Sequence, residues 1–189
     1  MRLNKTGMQN FNDKYRIGSN RYYRWNYSNT GLYFITIATE NKIKYFGKIE
    51  NEIIILSKFG KIVKNEWEKS FEIRNELLPD ESIIMPNHIR AIVAINNNEA
   101  NEKEKLEGEF YRPPKSLSSF ISGFKSAVIN KIDDFIDENN LTIKKFNRKN
   151  KFWQANYHDH IIRNHEEYCN IKNYIYNNPK KWCDDEFYS

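Results

Sequence analysis

The chain has 189 residues, 39% of them hydrophobic and 15% aromatic, enough for one domain with its own core. The longest apolar runs, such as Ala91 to Ile95, are far too short to span a membrane, and no apolar leader opens the chain. Two cysteines, Cys169 and Cys183, form neither a disulfide framework nor a CxxC pair, which predicts a reduced, cytoplasmic protein.

The net charge of +5 is unevenly spread. Residues 1–30 hold six Lys or Arg against one acid, and so do residues 141–165. Residues 98–110, between them, hold five Glu against two Lys. Aromatics interleave the two basic blocks: Tyr22, Tyr23, Trp25 and Tyr27 in the first, and Phe146, Phe152, Trp153 and Tyr157 in the second. Cations with rings suit a phosphate backbone with stacked bases, and they equally suit solvated surface over ordinary core aromatics.

In chain order, residues 1–30 read as a basic arm. Gly31 to Thr39 alternates and predicts a strand. Ile43 to Ile49 and Glu52 to Leu56 predict a hairpin closed around Glu50-Asn51. Ser57 is a candidate N-cap for a helix to about Phe71, with Ile62, Val63, Glu66 and Trp67 at helical spacing. Glu81 to Met85 and His88 to Ile95 predict two strands separated by Pro86-Asn87, and residues 96–115 a loop. Ser116 opens the strongest helix, with Leu117, Phe120, Ile121, Phe124, Val128, Ile132, Phe135 and Ile136 in one apolar stripe. A short strand lies within Trp153 to Arg163. A last helix starts at Asn164, with Glu167 three residues on, and is stopped by Pro179. The mixture predicts an α+β domain with a largely antiparallel sheet.

Two places carry chemistry. On the strand from His88, alternation puts His88, Arg90, Ile92 and Ala94 on one face and Ile89, Ala91, Val93 and Ile95 on the other. Side chains spaced i, i+2 on a central strand are well placed to hold a cation. His88 offers an imidazole; Arg90 stays protonated and has no lone pair to offer. By residue chemistry alone, His88 is either a structural histidine or a ligand. On the last helix, Tyr168, Ile171 and Ile175 face inward, and Asn170, Tyr174 and Asn178 lie on an adjacent polar face. Tyr174 and Asn178 are i, i+4 neighbours. A phenol with a pKa near 10 is a poor nucleophile unless something stabilises the phenolate. Tyr174 is therefore either a packing tyrosine or a nucleophile beside a cation.

Taken together, SIIMPNHIRAIVAI (Ser82 to Ile95), RPPKSLSSFISGFK (Arg112 to Lys125), FWQANYHDHIIR (Phe152 to Arg163) and YIYNNPKKW (Tyr174 to Trp182) resemble the REP-associated tyrosine transposases. These are a branch of the single-tyrosine HUH transposase superfamily. The resemblance implies a ferredoxin-like central antiparallel sheet flanked by helices, the HUH transposase fold. It implies a single domain over 31–182, with the arm before it and a tail over 183–189. It also implies an enzyme that binds single-stranded or hairpin DNA and cuts and rejoins it through a 5′-phosphotyrosine. Tyr174 would be the nucleophile, His88 and Asn178 would be ligands of Mg2+ or Mn2+, and the protein would be a monomer or a homodimer.

Arg90 stands where the second His of the motif belongs. Three outcomes follow: a nicking-deficient, transposase-derived protein that still binds DNA hairpins; weak metal binding through His88 and Asn178; or completion of the site by another residue. His158-Asp159-His160 is the candidate for the last. Arg90 is also a candidate phosphate contact, as are Arg112, Lys125, Lys144, Lys145 and Arg163. Trp153 and Tyr157 are candidates either for base stacking or for the core.

Overall fold

The computed structural model describes residues 10–11, 14–15, 29–96 and 114–188. Two dipeptide strands, β1 (Asn10–Phe11) and β2 (Lys14–Tyr15), pair antiparallel within the expected arm. The rest of the arm and most of the expected 96–115 loop, with Arg112, lie outside the described residues.

Four strands form the central sheet: β3 (Gly31–Ala38), β6 (Leu77–Ile84), β7 (His88–Ile95) and β8 (His158–Ile162). Their order is β6-β7-β3-β8, and every pairing is antiparallel. With α1 (Lys58–Glu72) between β3 and β6, and α2 (Leu117–Glu138) between β7 and β8, this is the expected ferredoxin-like topology. A helix α3 (His165–Tyr176) follows β8.

Both faces of the sheet are covered, as the apolar run of β7 requires. Ile89, Ala91, Val93 and Ile95 point to the side of α1 and α2, where Val63, Trp67, Phe120, Phe124, Val128 and Ile132 complete the main core. The Trp67 ring meets Phe124 edge-on at 5.3 Å, a geometry worth about 1 kcal/mol beyond simple burial. On the opposite face Ile92 packs with Ile162 and Ile175, and Tyr168 and Ile171 lean against them. This face carries His88 and Arg90.

The helix starts are where the caps place them. Ser57 Oγ accepts from the Gly60 amide, and Ser116 and Ser119 form a reciprocal capping box. Asn164 Oδ1 accepts from the Glu167 amide. Gly60 is needed for another reason: a Cβ there would drive into the Phe46 carbonyl.

Several boundaries differ from expectation. The hairpin strands are β4 (Gly47–Glu50) and β5 (Ile53–Leu56), closed by Asn51-Glu52, one residue later than expected. Both turn residues have positive φ, the conformation that matches strand twist in a two-residue hairpin. Strand β6 begins at Leu77 rather than Glu81, with an irregularity between Pro79 and Ser82. A proline is tolerated there because β6 is an edge strand. Trp153 lies outside β8, bridging to Thr39 instead. Residues 183–188, expected as a tail, fold back on the domain: a 3-10 turn, η2 (Trp182–Asp184), leads Asp185 and Phe187 onto the His88 face. No helix among the described residues is long and apolar enough to cross a membrane.

Candidate functional site

The site lies on the α3 side of the sheet, where β7, the turn after α3 and the 182–188 segment converge. Its first element is the turn Pro86-Asn87, which links β6 to β7. Asn87 is fully buried, and its Nδ2 donates to the Lys42 and Phe187 carbonyls, each at 2.8 Å. Those two bonds orient the carboxamide so that Oδ1 faces His88 Nδ1 at 2.9 Å. An amide oxygen can only accept, so Nδ1 carries the proton and Nε2 keeps its lone pair. Nε2 is buried and has no hydrogen-bond partner. The ring lies close to Phe187 (4.6 Å between centroids) and Trp182 (6.0 Å). Burial, reinforced by the Arg90 charge, pushes the His88 pKa down to about 3, although Asp185 and Asn178 oppose the shift. His88 is therefore a neutral imidazole with one fixed tautomer.

Arg90, two residues along, is 1% exposed. Its guanidinium grips the Asp185 carboxylate, Nη1 to Oδ2 at 2.5 Å and Nη2 to Oδ1 at 3.3 Å, with Glu186 at 3.4 Å as a further acceptor. Its Cζ also lies 4.7 Å from the Tyr174 ring centroid and 5.6 Å from that of Phe187. Arg90 is thus not the surface phosphate contact envisaged from the sequence, because its charge is already paired inside the domain. Burial alone would raise the Asp185 pKa; the Phe187 amide, Asn178 and Arg90 outweigh it and hold the carboxyl below its ordinary value.

Asn178 is 2% exposed, because it sits in the turn past the end of α3 rather than on the helix surface. Its Nδ2 donates to Asp185 Oδ2 at 2.8 Å, which leaves Oδ1 buried and without a partner. Tyr174, by contrast, is 44% exposed. Its ring meets Phe34 edge-on at 6.2 Å. Partial burial raises its pKa; Arg90 lowers it, and Asp185 and Glu186 add to the rise.

The structure therefore brings His88, Arg90, Tyr174 and Asn178 together, as the sequence motifs implied, and adds Asp185. Nothing in the DEF stretch around Asp185 marked it beforehand. The available clue was that a buried arginine on a central strand demands a carboxylate from somewhere.

The same residues bear on whether Mg2+ or Mn2+ fits. Two unpartnered acceptors, His88 Nε2 and Asn178 Oδ1, are what a cation site offers. The Asp185 carboxylate is fully used: Oδ2 accepts from Arg90 and Asn178, and Oδ1 from Arg90 and the Phe187 amide. A fixed guanidinium already supplies the positive charge. The residues fit an internal ion pair and do not fit a divalent cation. His160 does not complete the site, since its Nε2 is bound to Glu167 Oε1 at 2.6 Å. Among the described residues no group of three or more His, Cys, Asp or Glu could hold a metal ion.

The remaining candidates separate by burial. Lys125 is half-buried, with Nζ donating to the Gln154 and Asn156 carbonyls at 2.8 and 3.1 Å, and desolvation pushes its pKa down to about 8. Its ammonium stitches α2 to the segment before β8. Lys144 and Arg163 are exposed. Lys145 is exposed and paired with Asp137 at 2.5 Å. Trp153 is core, its Nε1 donating to the Lys125 carbonyl, and Tyr157 packs against the same cluster.

No protein-family model matches the chain. An uncharacterized protein of Haemophilus influenzae is 32% identical over 184 residues, covering 93% of this chain and 97% of that protein. A second Haemophilus influenzae protein, named provisionally as a REP-associated tyrosine transposase, is 25% identical over 166 residues, covering 84% of this chain and 76% of its own length. The chain belongs to a family related to the REP-associated tyrosine transposases. A solved REP-associated tyrosine transposase bound to a REP hairpin shares the fold, with a TM-score of 0.56 at 20% identity, over 86% of this chain and 74% of that one. This family member thus keeps the transposase-like framework, with an arginine–aspartate pair buried beside its first motif histidine.

Proposed function

We propose that this transposase-like protein binds single-stranded or hairpin DNA without metal-dependent cutting. The observation that carries this reading is the buried Arg90–Asp185 pair. It consumes the buried Asp185 carboxylate beside His88 and Asn178 and places a permanent cation where a ligand would be needed. Tyr174 is then left with a pKa moved away from the nucleophilic range and with no metal to stabilise its phenolate. Binding is supported by the relative solved with a REP hairpin and by the basic stretch from Lys144 to Lys151, where Lys144, Arg148, Lys149 and Lys151 are exposed. Such a stretch neutralises phosphates without reading sequence.

The test is an end-labelled DNA hairpin with a single-stranded flank, incubated with the full chain and Mn2+ and resolved under denaturing conditions. The expected result is a complex in native gels and no covalent adduct. An adduct in the wild type that vanishes in Tyr174→Phe would establish the cutting enzyme instead, with Tyr174 as nucleophile.

A further inference from the structure

We infer that the apolar groove between α1, β5 and β6 receives an extended segment of a partner polypeptide. That segment adds a strand to the open edge of β6 and meets Glu72 with a cationic side chain. The groove has a volume of about 650 Å3. Trp67 and Phe71 of α1 line one wall, Leu56 of β5 another, and Leu78 and Ile84 of β6 the third. Leu78 is 51% exposed there. An apolar hollow of this kind on a surface marks a place that another chain covers. Its lining shares no residue with the His88 site, so it stands independently of the DNA-binding reading above.

The backbone beside the groove selects an extended guest. Strand β6 is the edge of the central sheet and pairs only with β7. The Met85 amide donates to the His88 carbonyl across the turn between them. Alternation along an antiparallel pair then turns the backbone groups of Ile84 and Ser82 towards the open edge. An unpaired row of N–H and C=O groups accepts another strand, whose alternate side chains enter the hollow. Charge sets the sign of the guest. Lys64 is balanced by Glu68 at 3.8 Å, whereas exposed Glu72 has no ion pair among the described residues. An acidic rim repels a phosphodiester, so nucleic acid is a poor occupant. A second copy is a poor one too. Its β6 would bring Pro79, which has no amide to donate, and Asp80 and Glu81, which add acid to an acidic rim.

The experiment measures fluorescence anisotropy of labelled heptapeptides titrated with the full chain. The probes are Arg-X-Thr-X-Thr-X-Arg, with X as Val, Leu or Phe, and the same peptides ended by Glu. An Arg-ended peptide should bind about tenfold tighter than its Glu-ended counterpart. Glu72→Lys should reverse that order. N-methylation of one alternate set of peptide amides should abolish binding, and methylation of the other set should leave it nearly unchanged. Ser82→Pro removes an outward-facing amide and none inside the sheet, so it should abolish binding at an unchanged Tm. Where Ser82→Pro unfolds the chain, the reversal in Glu72→Lys decides alone. No binding up to about 1 mM, equal affinity for both kinds of end, or equal damage from either methylated set would overturn the inference. Displacement of the peptide by a DNA hairpin would overturn it in favour of nucleic acid. Self-association that Ser82→Pro abolishes would overturn it in favour of a second copy.

Discussion

Arg90 and Asp185 meet as a two-pronged ion pair between side chains that are 1% and 2% exposed, 95 residues apart in the chain. Removing one partner leaves the other charge buried. Asp185→Ala should therefore cost about 3–5 kcal/mol of unfolding free energy, whereas Arg90→Met with Asp185→Leu should cost much less. Urea denaturation of the three proteins checks this, and equal losses in the single and double variants would contradict it.

The histidine beside that pair gives the fold an acid sensitivity. The His88 pKa is lowered to about 3 in the fold, against 6.5 in the unfolded chain. The unfolded state therefore takes up a proton below pH 6.5 while the folded state does not. Stability should fall as pH drops from about 6.5 towards 3, at roughly 1.4 kcal/mol per pH unit within that window. Asp185, whose folded pKa is lowered, adds a second loss only below its unfolded value of 3.8. Urea midpoints between pH 7 and pH 4.5 should decline in the wild type and flatten in His88→Gln.

Restoring an imidazole at position 90 should create the cation site that Arg90 forecloses. In Arg90→His, the freed Asp185 carboxylate joins His88 Nε2 and Asn178 Oδ1 as a donor. Mn2+ should then raise the Tm of the variant, by about 2–4 °C for each kcal/mol of linked binding energy. The wild type should show no shift. A shift in the wild type as well, or none in the variant, would mean that the ion pair is not what controls metal binding.

The basic residues should divide into two behaviours. Lys144→Ala and Arg163→Ala should each reduce the slope of log affinity against log salt by about 0.9 for a hairpin probe. Lys125→Met should leave that slope unchanged and instead lower stability by about 1–3 kcal/mol, because two backbone carbonyls lose their donor. A change of slope in Lys125→Met would place its ammonium at the DNA after all.

The parts of the fold written in local patterns were legible. The stripe of α2, the alternation of β7 and the caps at Ser57, Ser116 and Asn164 all rest on neighbours a few residues apart. The site was legible as far as its motifs ran: His88, Tyr174 and Asn178 do converge. What local pattern could not carry was the other half of Arg90. Its partner comes from a segment with no periodicity, and the rings packed on it, Tyr174 and Phe187, come from two other places in the chain. Lys125 misled for a similar reason. It sits on the polar side of an amphipathic helix, yet two carbonyls of a loop from beyond the helix engage its ammonium.

The 95-residue span between Arg90 and Asp185 also orders events in time. Strand β7 can form with β3 and β6 well before the last segment docks, so a folding chain must hold the Arg90 guanidinium in water until that late step. The expectation is that the rate-limiting ensemble assembles around the helices and central strands without the pair. Substitutions at Asp185 accordingly act on how fast the native state opens and leave the speed of its formation nearly untouched. The pair is then expected to contribute little to assembling the domain and much to how long it stays closed.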